Sequence, residues 1–153
     1  MPGLRIDVAD LLSHPGARRA VSVSETLDAL AGSAAVVEGP VRVELTLERV
    51  SHGIVARGAV SADWLAECST CLRDLRRTTE VHVDELFEPE AVDGETYPIV
   101  GHEIDLEQLV RDSVLLELPL SPRCDEPCAD LAPGADDDAE PDPRWAALSE
   151  LEL

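Results

Sequence analysis

Apolar and polar residues alternate without a break over Val41-Arg42-Val43-Glu44-Leu45-Thr46-Leu47-Glu48. A period of two puts every second side chain on one face, so this stretch predicts a half-buried strand. The turn-like Ser51-His52-Gly53 follows, and residues 54–62 predict the returning strand of an antiparallel hairpin. Residues 78–87, again alternating, predict a third strand. The period changes after Ile104. Leu106, Leu109, Val110, Ser113, Val114 and Glu117 fall on one helical face, and Leu115, Leu116 and Leu118 widen it, so a long, deeply buried helix is expected. Asp105 is placed to cap its start, with Glu107 and Gln108 in the first turn, and Pro119 stops it. A short helical turn is expected over 8–12, broken by Pro15-Gly16.

Toward the C-terminus, Pro133-Gly134-Ala135-Asp136-Asp137-Asp138-Ala139-Glu140-Pro141-Asp142-Pro143 offers no apolar face and reads as a linker. Helical character returns at once. Asp142 as cap and Pro143 at the first position suit a helix start, and Trp145, Leu148 and Leu151 share a face that either docks on the body, the commoner outcome, or is presented to a partner. The pattern therefore predicts an α+β fold: an antiparallel, sheet-rich single domain, open or barrel-like, with one long buried helix and a short C-terminal helix. The expected boundaries are a domain over 1–131, an acidic linker over 132–143 and the helix over 144–153.

Composition refines this picture in two ways. The chain of 153 residues is long enough to bury a core, yet holds one Phe, one Tyr and two Trp, so that core must be aliphatic. The net charge is −20, from 12 basic and 32 acidic residues, and every basic residue is Arg. The charge is unevenly placed. Residues 84–153 carry 3 basic and 21 acidic residues, hence −18, while the remainder is nearly neutral. So acidic a chain cannot grip duplex nucleic acid along an extended face, which favours a basic protein partner or RNA contact at one local patch. No apolar run is long enough to span a bilayer and no secretory signal opens the chain, so a cytoplasmic location without membrane contact is expected.

The four cysteines fall in two pairs, Cys68-x-x-Cys71 and Cys124-x-x-x-Cys128. The first sits between the second and third expected strands, where a turn can wrap one side of an ion. Two such pairs suit a tetrahedral Zn²⁺ site, provided they meet across the fold. Buried thiols without metal remain open as a reading, as does a redox dithiol at Cys68/Cys71, although no thioredoxin-like βαβ unit surrounds it. Directly after the first pair, Arg73, Arg76 and Arg77 form the densest basic cluster, a candidate RNA-phosphate contact that could equally pair with the chain's own acid.

Several stretches together resemble the YceD family of large ribosomal RNA accumulation proteins. They are Glu67-Cys68-Ser69-Thr70-Cys71-Leu72, Ile104-Asp105-Leu106, Val110-Arg111-Asp112-Ser113-Val114-Leu115-Leu116-Glu117-Leu118-Pro119-Leu120, Cys124-Asp125-Glu126-Pro127-Cys128 and Asp142-Pro143-Arg144-Trp145-Ala146-Ala147-Leu148. The resemblance implies a non-enzymatic role in accumulation or processing of large-subunit ribosomal RNA, in a family described as metal-binding and nucleic-acid-binding; the ligand set Cys68, Cys71, Cys124 and Cys128 comes from the cysteine spacing. Many relatives continue with a further Cys-Pro-x-Cys-Gly; here the corresponding stretch is Ala132-Pro133-Gly134-Ala135-Asp136, so metal binding requires the two distant pairs to converge.

His14, His52, His82 and His102 stand apart from one another, and the chain has no phosphate loop, nucleophile elbow or zinc-hydrolase motif. No catalysis and no small-molecule substrate are therefore expected. The expected partner is ribosomal RNA or a basic large-subunit ribosomal protein. A redox dithiol protein and a metal-stabilised adaptor unrelated to ribosomes are the rival expectations.

Overall fold

The computed structural model describes residues 2–125, 128 and 143–151. After a 3-10 turn at Pro2–Leu4 come β1 (Arg5–Asp7), α1 (Ala9–Ser13), β2 (Arg18–Glu25), β3 (Ala35–Val50), β4 (Gly53–Glu67) and β5 (Asp74–Glu88). They are followed by β6 (Tyr97–Val100), β7 (Glu103–Asp105) and α2 (Glu107–Glu117), with a separate 3-10 helix at Pro143–Glu150. The strands form one sheet in the order β1-β7-β6-β5-β4-β3-β2, antiparallel except where β6 runs parallel to β5.

The three expected strands are present and longer than their alternating cores. β3 and β4 pair from Val50↔Gly53 out to Ala35↔Ala66, joined by the two residues Ser51 and His52. Strands of this length must bend to stay on one core. A register shift between Glu38 and Arg42, where Gly39 takes a φ of 74°, bends β3. At Gly58 β4 lies so close to β3 that a Cβ would sit 2.0 Å from the Glu44 carbonyl oxygen. The sheet consequently curls until its two edges approach. Arg19 of β2 pairs with Asp10 at 3.0 Å and donates to the carbonyl of Asp7 at the end of β1.

One face of the curl is apolar throughout. Val41, Val43, Leu45 and Leu47 of β3 meet Ile54, Ala56, Val60, Ala62 and Trp64 of β4, with Val83 and Phe87 of β5 beside them. No buried polar or charged residue interrupts the core among the described residues. Leu4, Val8 and Leu11 from the N-terminal segment and Leu106, Leu109, Val110, Val114 and Leu118 from around α2 complete the core, the two groups meeting where Leu106 donates its backbone N–H to the carbonyl of Leu4.

That arrangement corrects the expected fold class. The protein is dominated by a curled seven-stranded sheet with short helices, and the long buried helix does not exist. α2 has 11 residues, about 16 Å at the helical rise, and buries only Leu109, Val110 and Val114. Leu115 is 39% exposed and Leu116 87% exposed, because an α-helix lying on one sheet turns three or four residues per two turns toward it and the rest away. The apolar run Val114-Leu115-Leu116 was continuous in sequence, but its burial is not. The helix starts one residue later than expected, with Leu106 at the N-cap, and ends as expected. The Asp105 carboxylate accepts the backbone N–H of Glu107 at 2.9 Å, and Leu118, before Pro119, turns to an extended ψ of 136°.

The expected acidic linker lies outside the described residues except Pro143, which opens the C-terminal 3-10 helix. Trp145, Leu148 and Leu151 are 63%, 53% and 64% exposed, so that helix does not dock its apolar face on the body as expected.

Two substitutions in α2 test its orientation. Leu109→Ala, at a fully buried position, is expected to cost about 2–5 kcal/mol, whereas Leu116→Ala should stay within about 0.5 kcal/mol. Chemical denaturation measures both; equal losses would contradict the one-sided burial of the helix.

Candidate metal centre

The turn from β4 to β5 is built tightly. Cys68 donates its backbone N–H to the carbonyl of Arg73, and Leu72 donates to the carbonyl of Cys68. Leu72 closes this turn with a φ of +60°, a left-handed conformation that a branched side chain adopts only when the surroundings hold it there. The turn directs Cys68, which is fully buried, and Cys71, which is partly exposed, to the same side.

The second pair arrives from the far side of the fold. Pro119 stops α2, and the chain runs back across the end of the sheet to the β4–β5 turn. Ser69 fastens it there: its backbone N–H and its hydroxyl both donate to the carbonyl of Pro122, each at 2.8 Å, and its hydroxyl also meets that of Ser121 at 2.9 Å. Arg77 of β5 adds a two-pronged clamp, donating to the carbonyl of Arg123 at 2.7 Å and pairing with the Asp125 carboxylate at 3.1 Å. Cys124 lies between those two contacts.

All four sulfurs converge as a result. Cys68 and Cys128 Sγ are 3.5 Å apart, Cys71 and Cys124 Sγ 3.4 Å, and Cys124 and Cys128 Sγ 3.9 Å. Every pair among the four lies within 4.8 Å. Four sulfurs around a tetrahedral ion at a metal–sulfur distance of ~2.3 Å would sit about 3.8 Å apart. The donor set and its spacing thus fit a metal of that kind. All four sequence-predicted ligands are in the cluster.

The electrostatics of the sulfurs divide. Backbone N–H groups of Cys71, Thr70 and Cys124 aimed at the Cys68 sulfur hold its thiol down to about 5. Cys128 is pushed up to about 12, chiefly by its neighbours Cys71 and Cys68 and by burial. Cys124 is raised by the same two neighbours. Clustered thiols resist sharing several negative charges, which is the repulsion that a divalent cation removes. A low thiol pKa is also what a redox dithiol needs. Here the low-pKa sulfur belongs to a residue with 0% exposure, so no external disulfide reaches it.

The candidate RNA-contact arginines are placed differently from one another. Arg77 is engaged in the clamp on the second cysteine loop. Arg76 pairs with Glu38 of β3 at 3.5 Å, and Arg73 is exposed in the turn. The three line a shallow cleft of about 390 Å³ together with Cys124 and Asp125. Sequence reasoning missed the positioning role of Arg77 and Ser69, whose partners lie 46 and 53 residues away.

The family described as "Large ribosomal RNA subunit accumulation protein YceD" matches residues 56–152, a span that includes all four cysteines. An uncharacterized protein of Mycobacterium tuberculosis is 38% identical over 125 residues, covering 71% of this chain and 60% of its own length. Its counterpart in Mycobacterium bovis matches to the same extent. An uncharacterized protein of Mycobacterium leprae is 31% identical over 167 residues, covering 95% of this chain and 76% of its own. The chain therefore spans about 60% of the length of the first two relatives. No solved structure matches.

If one ion sits among the four sulfurs, Cys68→Ser and Cys124→Ser are each expected to abolish stoichiometric metal in the purified chain, as read by elemental analysis. Loss of metal in both variants requires a single shared site, whereas undiminished stoichiometry and affinity in either would contradict it. Arg77→Ala, which frees the second loop without touching a sulfur, is expected to weaken metal binding by about 10–100-fold in chelator competition.

Proposed function

Because the chain belongs to the YceD family of large ribosomal RNA subunit accumulation proteins, we propose that it is a non-catalytic, cytoplasmic ribosome-biogenesis factor supporting the accumulation or processing of large-subunit ribosomal RNA. The family match over 56–152 carries this reading. The ion proposed at Cys68, Cys71, Cys124 and Cys128 is Zn²⁺, which suits four thiolates at this spacing and supplies a structural cross-link there. A four-cysteine site leaves the ion no open position for substrate or water, which favours a brace over a catalytic centre. Cys71 and Cys124 are 53 residues apart, so the brace would tie the β4–β5 turn to the chain leaving α2.

The charge distribution narrows the mode of action. With −18 on residues 84–153, most of the second half would repel RNA phosphates and attract a basic large-subunit protein. RNA contact, if made, would fall to the arginine-lined cleft beside the cysteines. An adaptor unrelated to ribosomes would share these physical features, and family membership is what favours the ribosomal role. No helix among the described residues is long and apolar enough to cross a membrane.

Depleting the protein is expected to lower mature large-subunit ribosomal RNA relative to small-subunit RNA. An unchanged ratio on quantitative gel analysis of total RNA would overturn the reading.

A further inference from the structure

Along the outer side of α2, from Gln108 to Leu116, lies a feature the metal centre does not use. Two adjoining cavities, of about 620 Å³ and 390 Å³, share Tyr97, Pro98 and Gln108 and form one groove between the loop before β6 and the outer side of α2. Its apolar wall is formed by Leu115 and Leu116, with Val100, 73% exposed, at the other end. Its polar lining carries six carboxylates, those of Glu85, Asp93, Glu95, Glu103, Asp105 and Asp112, against the single guanidinium of Arg5. That guanidinium is already paired with Asp105 at 3.7 Å. Tyr97 is held in place by donating its hydroxyl to Asp112 at 2.9 Å, and burial followed by that bond pushes its pKa up to about 12, so the donor persists at any physiological pH.

We infer that this groove is the docking surface for a Lys/Arg-rich segment of a partner protein, which seats an apolar side chain against Leu115 and Leu116 and its cations among the surrounding carboxylates. The inference rests on the proposed role as a binder of a basic large-subunit protein and says where that protein binds. Charge complementarity selects the occupant. RNA would bring phosphates to six carboxylates, and a second copy of a chain of net charge −20 would bring more acid. An exposed leucine beside six carboxylates, of which only Asp105 has an ion-pair partner among the described residues, suits a segment that offers both apolar and cationic side chains.

The test is fluorescence anisotropy of a short labelled peptide of alternating lysine and leucine, titrated with the full chain. Leu116→Ser and Glu95→Arg are each expected to weaken binding at least about fivefold. Glu44→Arg, an equal charge change on exposed β3, should alter it by less than about twofold. Equal loss in Glu95→Arg and Glu44→Arg with none in Leu116→Ser would reduce the binding to diffuse attraction and overturn the proposal. Binding that tightens about tenfold in Trp145→Ala would show the chain's own C-terminal helix occupying the groove, which also overturns it. The two readings fail separately. If depletion leaves ribosomal RNA unchanged while the peptide binds as expected, the ribosomal role falls and the groove stands. If Leu116→Ser abolishes peptide binding yet fully rescues depleted cells, the groove falls and the ribosomal role stands.

Discussion

A sheet that buries only one face must find a cover for it, and among the described residues there is no second sheet to supply one. Its concave side is wholly apolar, so any water left against it would cost about 25 cal/mol for each Å² of uncovered surface. The fold meets this by curling the sheet and laying the N-terminal turn, α1 and α2 across the opening. Curling requires bends in long strands, and the chain provides them at Gly39 in β3 and Gly58 in β4. The position of α2 follows from this requirement, and the positions of both candidate surfaces follow from α2.

α2 presents its two ends and its outer side to different tasks. Leu109, Val110 and Val114 face the sheet, which leaves Gln108, Asp112, Leu115 and Leu116 facing out over the groove. The helix then stops at Pro119, with Leu118 packed 3.5 Å from where a Cβ of Gly32 would stand, and delivers Ser121 to Cys124 to the β4–β5 turn. A single short helix thereby sets the apolar cover, the groove wall and the approach of the second cysteine pair. Among the described residues of this acidic half, the aliphatic side chains are concentrated where the sheet needs them and no carboxylate is buried.

The alternation in 41–48 was enough to place the central hairpin, because a half-buried strand writes its burial directly into the sequence. The third strand and the turn carrying Cys68 and Cys71 were legible for the same reason. β1, β6 and β7, each of three or four residues, were not, since so short a strand shows no period. β2 alternates as Val21-Ser22-Val23-Ser24 but lies at the sheet edge with no fully buried residue, so its signal was weak. The depth of α2 was misread because Leu115 and Leu116 have the composition of a core and the position of a surface. Hydrophobicity alone cannot distinguish the two; only the direction of the sheet can.

The same limit applies to the metal centre. Cysteine spacing named four donors but left the meeting of the two pairs undetermined, since nothing local records a contact across 53 residues of chain. What brings them together is an ordinary set of hydrogen bonds from Ser69 and Arg77 to the backbone around Cys124. Those bonds do not involve sulfur, so they hold the loop near the turn independently of any ion. Four sulfurs brought together in this way suit a tetrahedral ion without a third cysteine pair, since the β4–β5 turn supplies half of the donors.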